Sequence, residues 1–187
     1  MDANRLRRNA GFSMVEVCIG LMIACALAGV AVVNIGAAKP GMHANKAMYQ
    51  AIAQFRQGRQ AAINQRRSIR LNFLDNDKIQ LMRVELDGAL NELKTESLGN
   101  KYQFMRFPSI TQDTPDQFGN AQAIDFGGAN TLTFLSDGSL VDESGNPANG
   151  TVFIGIDNHP EVARAVTILG STGRVISYRW NGTEWLR

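Results

Sequence analysis

Cysteine is nearly absent from this chain of 187 residues, which contains only Cys18 and Cys25. Both lie in one apolar segment, seven residues apart. Two turns of helix would separate their Cα atoms by roughly 10 Å, which is too far for a disulfide within one chain. The absence of cysteine after Cys25 excludes a disulfide framework for the rest of the chain. We therefore expect both thiols to be packing residues and the C-terminal part to fold on an apolar core.

Catalytic motifs are also missing. The sequence has no Gly-x-Ser-x-Gly, no His-Glu-x-x-His, no Walker glycine loop and no Cys-x-x-Cys. His43 and His159 stand outside any such motif. The acidic groups at 75–77 and 137–143 lack the spacing of an EF-hand, and turn formation explains them without a metal. We predict that the protein is not an enzyme and has no catalytic residue, cofactor or metal site, with calcium binding at the acidic groups as the weaker alternative.

The excess of positive charge is small and local. The formal net charge is +2, and the imbalance between Arg5, Arg7 and Arg8 on one side and Asp2 on the other accounts for it. The remainder of the chain is formally neutral, which excludes an argument for nucleic-acid binding from overall basicity. The length leaves room for one modest domain beside a membrane-length segment.

The arginines precede a long apolar segment. Residues 17–38 are apolar apart from Asn34, and these 22 residues suit a membrane span of about 20. A secretory signal would have a shorter apolar core of roughly 7–15 residues followed by a small-x-small cleavage site. The basic residues before the segment favour a cytoplasmic N-terminus and a C-terminal domain on the far side of the membrane.

Glu16 separates the two remaining interpretations, a plain anchor and a leader that is removed on the cytoplasmic side of a retained helix. A carboxylate inside a span costs about 2.5–3.5 kcal/mol and calls for a partner, which a plain anchor does not supply. Cleavage between Gly11 and Phe12 would create a free α-amino group close to Glu16 in sequence and in depth. Neighbouring copies could then pair amine with carboxylate.

The junction at 11–16 reads Gly-Phe-Ser-Met-Val-Glu. With basic residues before it and a long apolar helix after it, it resembles the type III leader of type IV pilins and type II secretion pseudopilins, over roughly residues 5–40. The resemblance implies that prepilin peptidase cleaves after Gly11 and methylates the new N-terminal Phe12, and that Glu16 supports docking into the growing filament. It also implies three further partners: other pilin or pseudopilin subunits, an inner-membrane assembly platform and the lipid bilayer.

Residues 42–67 have the pattern of an amphipathic helix. The polar residues fall mostly outside an apolar stripe, which we expect the sheet of the C-terminal domain to cover. Pro40 and Gly41 predict a kink or a short non-helical stretch at 36–41. The residues of the stripe are Ala44, Met48, Ala51, Phe55, Ala62 and Ile63.

From Ser68 onward the sequence alternates as strands do. Residues 68–74 and 79–86 flank turn residues, which predicts a hairpin, and residues 109–130 are predicted to form a long loop. The dipeptide Asn181-Gly182 predicts a tight turn before a short last strand. The remaining strands are predicted at 102–107, 131–135, 151–156, 163–169, 174–180 and 183–186.

A helical run followed by many strands indicates the α+β class. We expect a long N-terminal helix, with a transmembrane half and an amphipathic half, packed on an antiparallel β-sheet head. The predicted organisation is a leader at 1–11, the transmembrane half at 12–38, the amphipathic half at 39–67 and the head at 68–187.

Two head segments, 134–139 and 166–175, resemble the GspH/FimT family of minor pilins and minor pseudopilins. Some FimT-like minor pilins capture DNA through a C-terminal Gly-Arg-x-Arg motif. Here the corresponding residues are Gly173-Arg174-Val175-Ile176, so the second arginine is absent, although Arg179 lies nearby. Arg174 and Arg179 are the candidate DNA contacts, but strand alternation places them on opposite faces.

The sequence therefore predicts a minor pilin-like structural subunit of a type II secretion pseudopilus or a type IV pilus. We expect a single-pass protein of the bacterial inner membrane, with its N-terminus cytoplasmic and its head periplasmic, that later enters a filament. The alternative is a FimT-like minor pilin that binds DNA for uptake in natural transformation.

Overall fold

The computed structural model describes residues 13–99, 101–129 and 131–187, with the backbone alone for residues 30–38. The chain divides into two units, Met1–Lys39 and Pro40–Arg187. The predicted leader at 1–11 and the cleavage residues Gly11 and Phe12 lie outside the described residues. Within the described part of the chain, no helix has the length and apolar character needed to cross a membrane.

Helix α1 spans Met14–Gln65 and contains Pro40. Every residue of 36–41 is helical, so the short non-helical stretch that we considered there is not found. Proline removes one hydrogen bond from a helix interior and crowds the preceding turn, a cost that tertiary contacts can offset. One such contact is a hydrogen bond of 2.8 Å from the Tyr102 hydroxyl to the Pro40 carbonyl oxygen. The helix ends two residues before the predicted boundary, where Arg66 has a φ of 50°.

The strands form two antiparallel sheets, where the sequence predicted one. The first sheet has the order β3-β2-β1-β6-β7, and the second has the order β11-β10-β9-β8-β4, with β5 paired to β8. The α+β class and the packing of the helix on antiparallel sheets are confirmed. The strands are β1 (Ile69–Leu74), β2 (Lys78–Val84), β3 (Leu90–Ser97), β4 (Gln103–Phe104), β5 (Ile124–Asp125), β6 (Leu132–Phe134), β7 (Leu140–Val141), β8 (Gly150–Gly155), β9 (Arg164–Leu169), β10 (Arg174–Trp180) and β11 (Trp185–Leu186).

The local predictions for the strands are mostly confirmed. The hairpin of β1 and β2 closes at the pair Leu74 and Lys78, and the four residues 181–184, which begin with Asn181-Gly182, join β10 to β11. The strand predicted at 102–107 is reduced to two residues, because the chain then leaves the sheet edge. Strand β3 was not predicted. It lies at the edge of the first sheet and its first four residues are exposed, so its sequence carries no buried alternation.

The main core lies between α1 and the two sheets. All stripe residues of the predicted amphipathic helix are buried except Ile63, which is half-buried. They pack with Leu71 and Phe134 of the first sheet and with Ile154 and Val166 of the second. At Gly58 a Cβ atom would lie 3.0 Å from Leu81 Cδ2, so the missing side chain permits the close approach of helix and sheet.

The loop predicted at 109–130 is confirmed apart from the short strand β5, but it packs on the head. Phe107 and Ile110 join a second apolar cluster with Phe153, Ala165 and Trp185. Asp116 accepts hydrogen bonds from Thr167 Oγ1 at 2.5 Å and from the Tyr178 hydroxyl at 3.0 Å. The loop therefore covers the face of the second sheet opposite α1, which explains why every residue of β8 is buried.

Candidate assembly surface and its anchorage to the head

The first turn of α1 carries Glu16, the predicted docking residue. The Ser13 carbonyl oxygen accepts hydrogen bonds from the N–H groups of Glu16 at 2.9 Å and Val17 at 3.1 Å, which starts the helix at this position. The Glu16 side chain is exposed. A carboxylate in the first turn interacts favourably with the positive end of the helix dipole. Glu16 therefore lies on an accessible surface at the beginning of the helix.

The side chains at 13–29 are all exposed. This stretch includes the free thiols of Cys18 and Cys25, which we expected to be packing residues. Apolar surface of this extent is unfavourable in water and marks a site that lipid or another protein covers. We call this stretch the assembly surface, and its large apolar members are Met14, Val15, Val17, Ile19, Leu21, Met22, Ile23 and Leu27.

Phe55 anchors the second half of α1 to the head. Its side chain is fully buried. Its ring meets that of Phe73 in β1 at a centroid distance of 6.3 Å, and Phe73 in turn meets Phe104 of β4 at 5.2 Å. Both pairs have edge-to-face geometry, which stabilises aromatic contacts beyond their buried area. One aromatic chain thus connects the helix with both sheets.

A polar clamp, formed by Tyr102 and Arg164, holds the helix where the Pro40–Arg187 unit begins. Besides the bond from Tyr102 to Pro40, Arg164 Nε donates to Asn45 Oδ1 at 2.8 Å and Arg164 Nη1 donates to the Ala163 carbonyl oxygen at 2.9 Å. Arg164 is only 6% exposed. Its burial lowers the pKa of its guanidinium, and the neighbouring Arg179 acts in the same direction while Tyr102 opposes both.

Removing the Tyr102 hydroxyl tests the clamp. Tyr102→Phe is expected to destabilise the Pro40–Arg187 fragment by about 1 kcal/mol, the usual net contribution of a hydrogen bond. Burial raises the pKa of Tyr102 above its ordinary value of 10.0, with the nearby Arg164 opposing the shift. Because the folded pKa is the higher one, this stabilisation is complete below about pH 10 and is lost as the pH rises through the folded value.

Urea unfolding at neutral pH and above about pH 10 measures both effects. The wild-type fragment is expected to lose stability over this interval, and the Tyr102→Phe fragment is expected to lose less. Burial and the hydrogen bond to Asp116 also raise the pKa of Tyr178, so the stability of the variant will still fall somewhat at alkaline pH. If the variant loses as much free energy of unfolding between the two pH values as the wild type does, Tyr102 is not the titrating group.

The two head segments that resemble GspH/FimT proteins meet beside the helix. Gly173 has a φ of 62°, and a Cβ atom there would overlap the carbonyl oxygen of Gly138. The same oxygen accepts a hydrogen bond of 3.2 Å from Arg59 Nε of α1. The glycines at these two turns therefore allow β-turns of both segments to pack against each other and against the helix.

The candidate DNA contacts Arg174 and Arg179 do not converge. They lie near opposite ends of β10, roughly 17 Å apart at a rise of 3.3 Å per residue. Arg174 shares its face with Ile176 and Tyr178, whose side chains belong to the second apolar cluster. Arg179 lies on the other face, beside Tyr49 of α1. This is the arrangement that strand alternation predicts.

No catalytic or metal-binding constellation is found in the described ranges. The shifted carboxyl pKa values belong to surface contacts: hydrogen bonds from Asn91 and Arg83 lower that of Glu85, and one from His159 lowers that of Glu161. Among the same residues, no group of three or more His, Cys, Asp and Glu side chains could hold a metal ion.

The clamp residues were missed by sequence reasoning. Tyr102 and Arg164 meet helix residues 62 and 119 positions away, and local patterns carry no information over such distances. The available signal was a single arginine in the otherwise uncharged strand β9, since a charge in a buried strand requires polar partners.

No family model matches the sequence, and no curated protein matches it. The structure is similar to crystal structures of the type IV minor pilin FimU of Pseudomonas aeruginosa strain PAO1. One of these is 19% identical, covers 74% of this chain and 87% of that chain, and gives a TM-score of 0.47. The structure is also similar to that of the minor pseudopilin EpsH from the type 2 secretion system of Vibrio cholerae, which is 14% identical, covers 71% of this chain and 97% of that chain, and gives a TM-score of 0.45.

Proposed function

We propose that this chain is a minor pilin-like structural subunit of a type II secretion pseudopilus or a type IV pilus. Its precursor would span the inner membrane once, with residues 1–11 as a cytoplasmic leader and the head in the periplasm. Prepilin peptidase would cleave between Gly11 and Phe12 and methylate Phe12. The subunit would then join other pilin or pseudopilin subunits at an inner-membrane assembly platform.

The observation that carries the proposal is the pairing of the leader-like junction with the assembly surface. The large apolar side chains of that surface are exposed, Met14 to 86% and Leu27 to 66%, and no residue of 13–29 is buried. By contrast, the apolar stripe from Ala44 to Ala62 is covered by the head. The helix thus has one half that stabilises its own domain and another half that requires an external cover. A subunit that moves from lipid into a bundle of like helices meets this requirement in both states.

Glu16 would favour movement of the subunit from the lipid into the filament. A carboxylate at lipid depth is costly, and the α-amino group of Phe12 in a neighbouring subunit would neutralise it. The exposed position of Glu16 in the first turn of α1 is compatible with this pairing. Each subunit that enters the filament would exchange an unfavourable environment of the carboxylate for a paired one, while its apolar side chains exchange lipid for neighbouring helices.

Substitution at Gly11 tests the processing step. In cells with an active prepilin peptidase, N-terminal sequencing and intact mass of the membrane form are expected to show a chain that begins at Phe12 and carries one added methyl group. Gly11→Val is expected to leave the precursor uncleaved, because a β-branched side chain restricts the backbone and adds bulk at the scissile bond. Gly20→Ala is the matched control, since a Cβ atom there meets no described atom within 4 Å. A wild-type membrane form that begins at Met1 or Asp2 would contradict the proposal.

A deletion strain addresses which filament the subunit serves. Loss of exoprotein release points to a pseudopilus, loss of twitching to a type IV pilus, and loss of DNA uptake alone to the FimT-like alternative. The separation of Arg174 and Arg179 on β10 gives no support to a paired arginine contact with DNA. A salt-dependent shift of duplex DNA by the Pro40–Arg187 fragment would restore that alternative.

A further inference from the structure

A groove of about 220 Å³ lies between the second half of α1 and the last two strands of the head. The helix contributes Asn45, Met48 and Tyr49, and the opposite wall includes Ser177, Arg179 and Arg187. Tyr49 is 62% exposed, and both arginines are exposed. We call this site the cationic groove.

Basic side chains line the groove, and one further lining residue, Tyr178, donates a hydrogen bond to Asp116 on the opposite face of the sheet. Arg164 pairs directly with Arg179 in the register of β9 and β10, and the charge of Arg179 acts on Arg164, so these two guanidinium groups lie near each other. The hydrogen-bond partners of the buried Arg164 are neutral oxygens of Asn45, Ala163 and Gly41. No Asp or Glu is among the described residues that line the groove. The side chains that line the groove are therefore positively charged on balance.

Helix α1, which forms one wall of the groove, is also rich in basic residues and poor in acidic ones. Between Glu16 and Asp75 the sequence contains neither Asp nor Glu. The same stretch contains seven basic residues: Lys39, Lys46, Arg56, Arg59, Arg66, Arg67 and Arg70. Four of these residues, Lys39, Lys46, Arg56 and Arg59, belong to α1, so the part of the helix from Lys39 onward carries only positive charge and favours an anionic partner.

We propose that the cationic groove binds the phosphodiester headgroup of an anionic phospholipid. Guanidinium groups bind phosphate oxygens through paired hydrogen bonds, and tyrosine is enriched at the membrane interface. The volume is far above the roughly 10–15 Å³ that one water molecule needs, so the groove can admit a phosphate group. Basic groups next to a membrane are attracted by anionic headgroups.

The choice of lipid rests on the proposed function, because it requires residues 17–38 to be the membrane segment. Asn45 follows the end of that segment by seven residues. A fully extended chain of seven residues spans at most about 25 Å, which bounds the distance between Asn45 and the end of that segment. A groove at this position would hold the head against the membrane until the subunit is extracted.

The test uses the purified full chain in neutral detergent, titrated with phosphatidylglycerol and, separately, with phosphatidylcholine, with bound lipid counted by native mass spectrometry. The wild type is expected to prefer phosphatidylglycerol. The double variant Arg179→Gln/Arg187→Gln is expected to bind it roughly tenfold to thirtyfold more weakly, the combined effect of two interfacial arginines. The control Arg56→Gln/Arg174→Gln removes two exposed charges outside the groove and is expected to change binding less than about twofold.

If the two double variants lose the same affinity for phosphatidylglycerol, the proposal is overturned, because the lipid is then attracted by net charge alone. Equal affinity of the wild type for the two lipids would also overturn it. If inorganic phosphate displaces the lipid with the same dependence on Arg179 and Arg187, the ligand is free phosphate and not lipid. If the groove variant loses a duplex-DNA shift but keeps its lipid affinity, the groove serves nucleic acid.

Failure of the proposed function is detected separately. Alkaline extraction of membranes and N-terminal sequencing report whether the chain is inserted and cleaved, and neither readout depends on the groove. A chain that is inserted and cleaved but shows no preference for phosphatidylglycerol refutes the lipid site alone. A chain that is not inserted refutes the proposed function and with it the assignment of the groove to a membrane lipid.

Discussion

Replacing Glu16 by leucine is expected to abolish incorporation into a filament while membrane insertion stays intact. Insertion improves because a carboxylate that costs about 2.5–3.5 kcal/mol at lipid depth is removed. Incorporation suffers because the α-amino group of Phe12 in the neighbouring subunit is left without its partner. Breaking a buried ion pair from one side costs about 3–5 kcal/mol, so the fraction incorporated should fall by a factor on the order of 100 or more.

Crosslinking in membranes and pull-down with a tagged wild-type subunit measure incorporation, and alkaline extraction measures insertion. Glu16→Gln separates charge from shape, since it keeps the length of the side chain and removes the charge; it should behave as Glu16→Leu does. Glu184→Gln removes an exposed carboxylate of the head and serves as the control. Wild-type incorporation of either Glu16 variant would show that the carboxylate is not the docking group.

Replacing Phe55 by alanine is expected to cause the largest loss of stability in the Pro40–Arg187 unit. Phe55 is fully buried and links α1 to Phe73 of the first sheet. Truncating a buried phenylalanine costs about 3–5 kcal/mol, through lost transfer free energy and the remaining cavity. Since a domain of this size is stable by only about 5–15 kcal/mol, the variant should be close to unfolding at physiological temperature.

Urea unfolding of the Pro40–Arg187 fragment, followed by circular dichroism, measures this loss. The fragment is suitable because the main core begins at Ala44 and is complete within it. Arg56→Ala is the control, since this exposed neighbour on the same helix should change the free energy of unfolding by no more than about 0.5 kcal/mol. Similar midpoints for the two variants would show that the helix does not pack on the sheets through Phe55.

The helix and the β1–β2 hairpin were predictable because their signals are local. The stripe from Ala44 to Ala62 repeats with the period of a helix, and the change of period at Ser68 coincides with the start of the head. The connection at Asn181-Gly182 was predicted in part: Gly182 has a φ of 104°, but the connection spans the four residues 181–184 and not the dipeptide alone. These features depend on residues that are neighbours in the chain.

Strand β3 and the division into two sheets were not predictable in this way. β3 lies at a solvent-exposed edge, so burial imposes little alternation on its sequence. The pairing of β1 with β6 joins residues more than 60 positions apart, and many strands of similar composition compete for that place. The docking of residues 105–123, which connect β4 to β5, on the second sheet was not predictable either, because their apolar side chains are too few to reveal which surface they cover.

The sequence by itself determined the α+β class, the amphipathic half of the long helix and the leader-like junction with Glu16, because these follow from the local order of charge, apolar residues and chain period. Only the tertiary structure decided that Arg164 is buried beside Asn45 and that Arg179 and Arg187 line a groove against the helix. The physical reason is that such contacts depend on which strands become neighbours. Which strands become neighbours depends on the burial of the whole core, and a short segment of the chain does not contain that information.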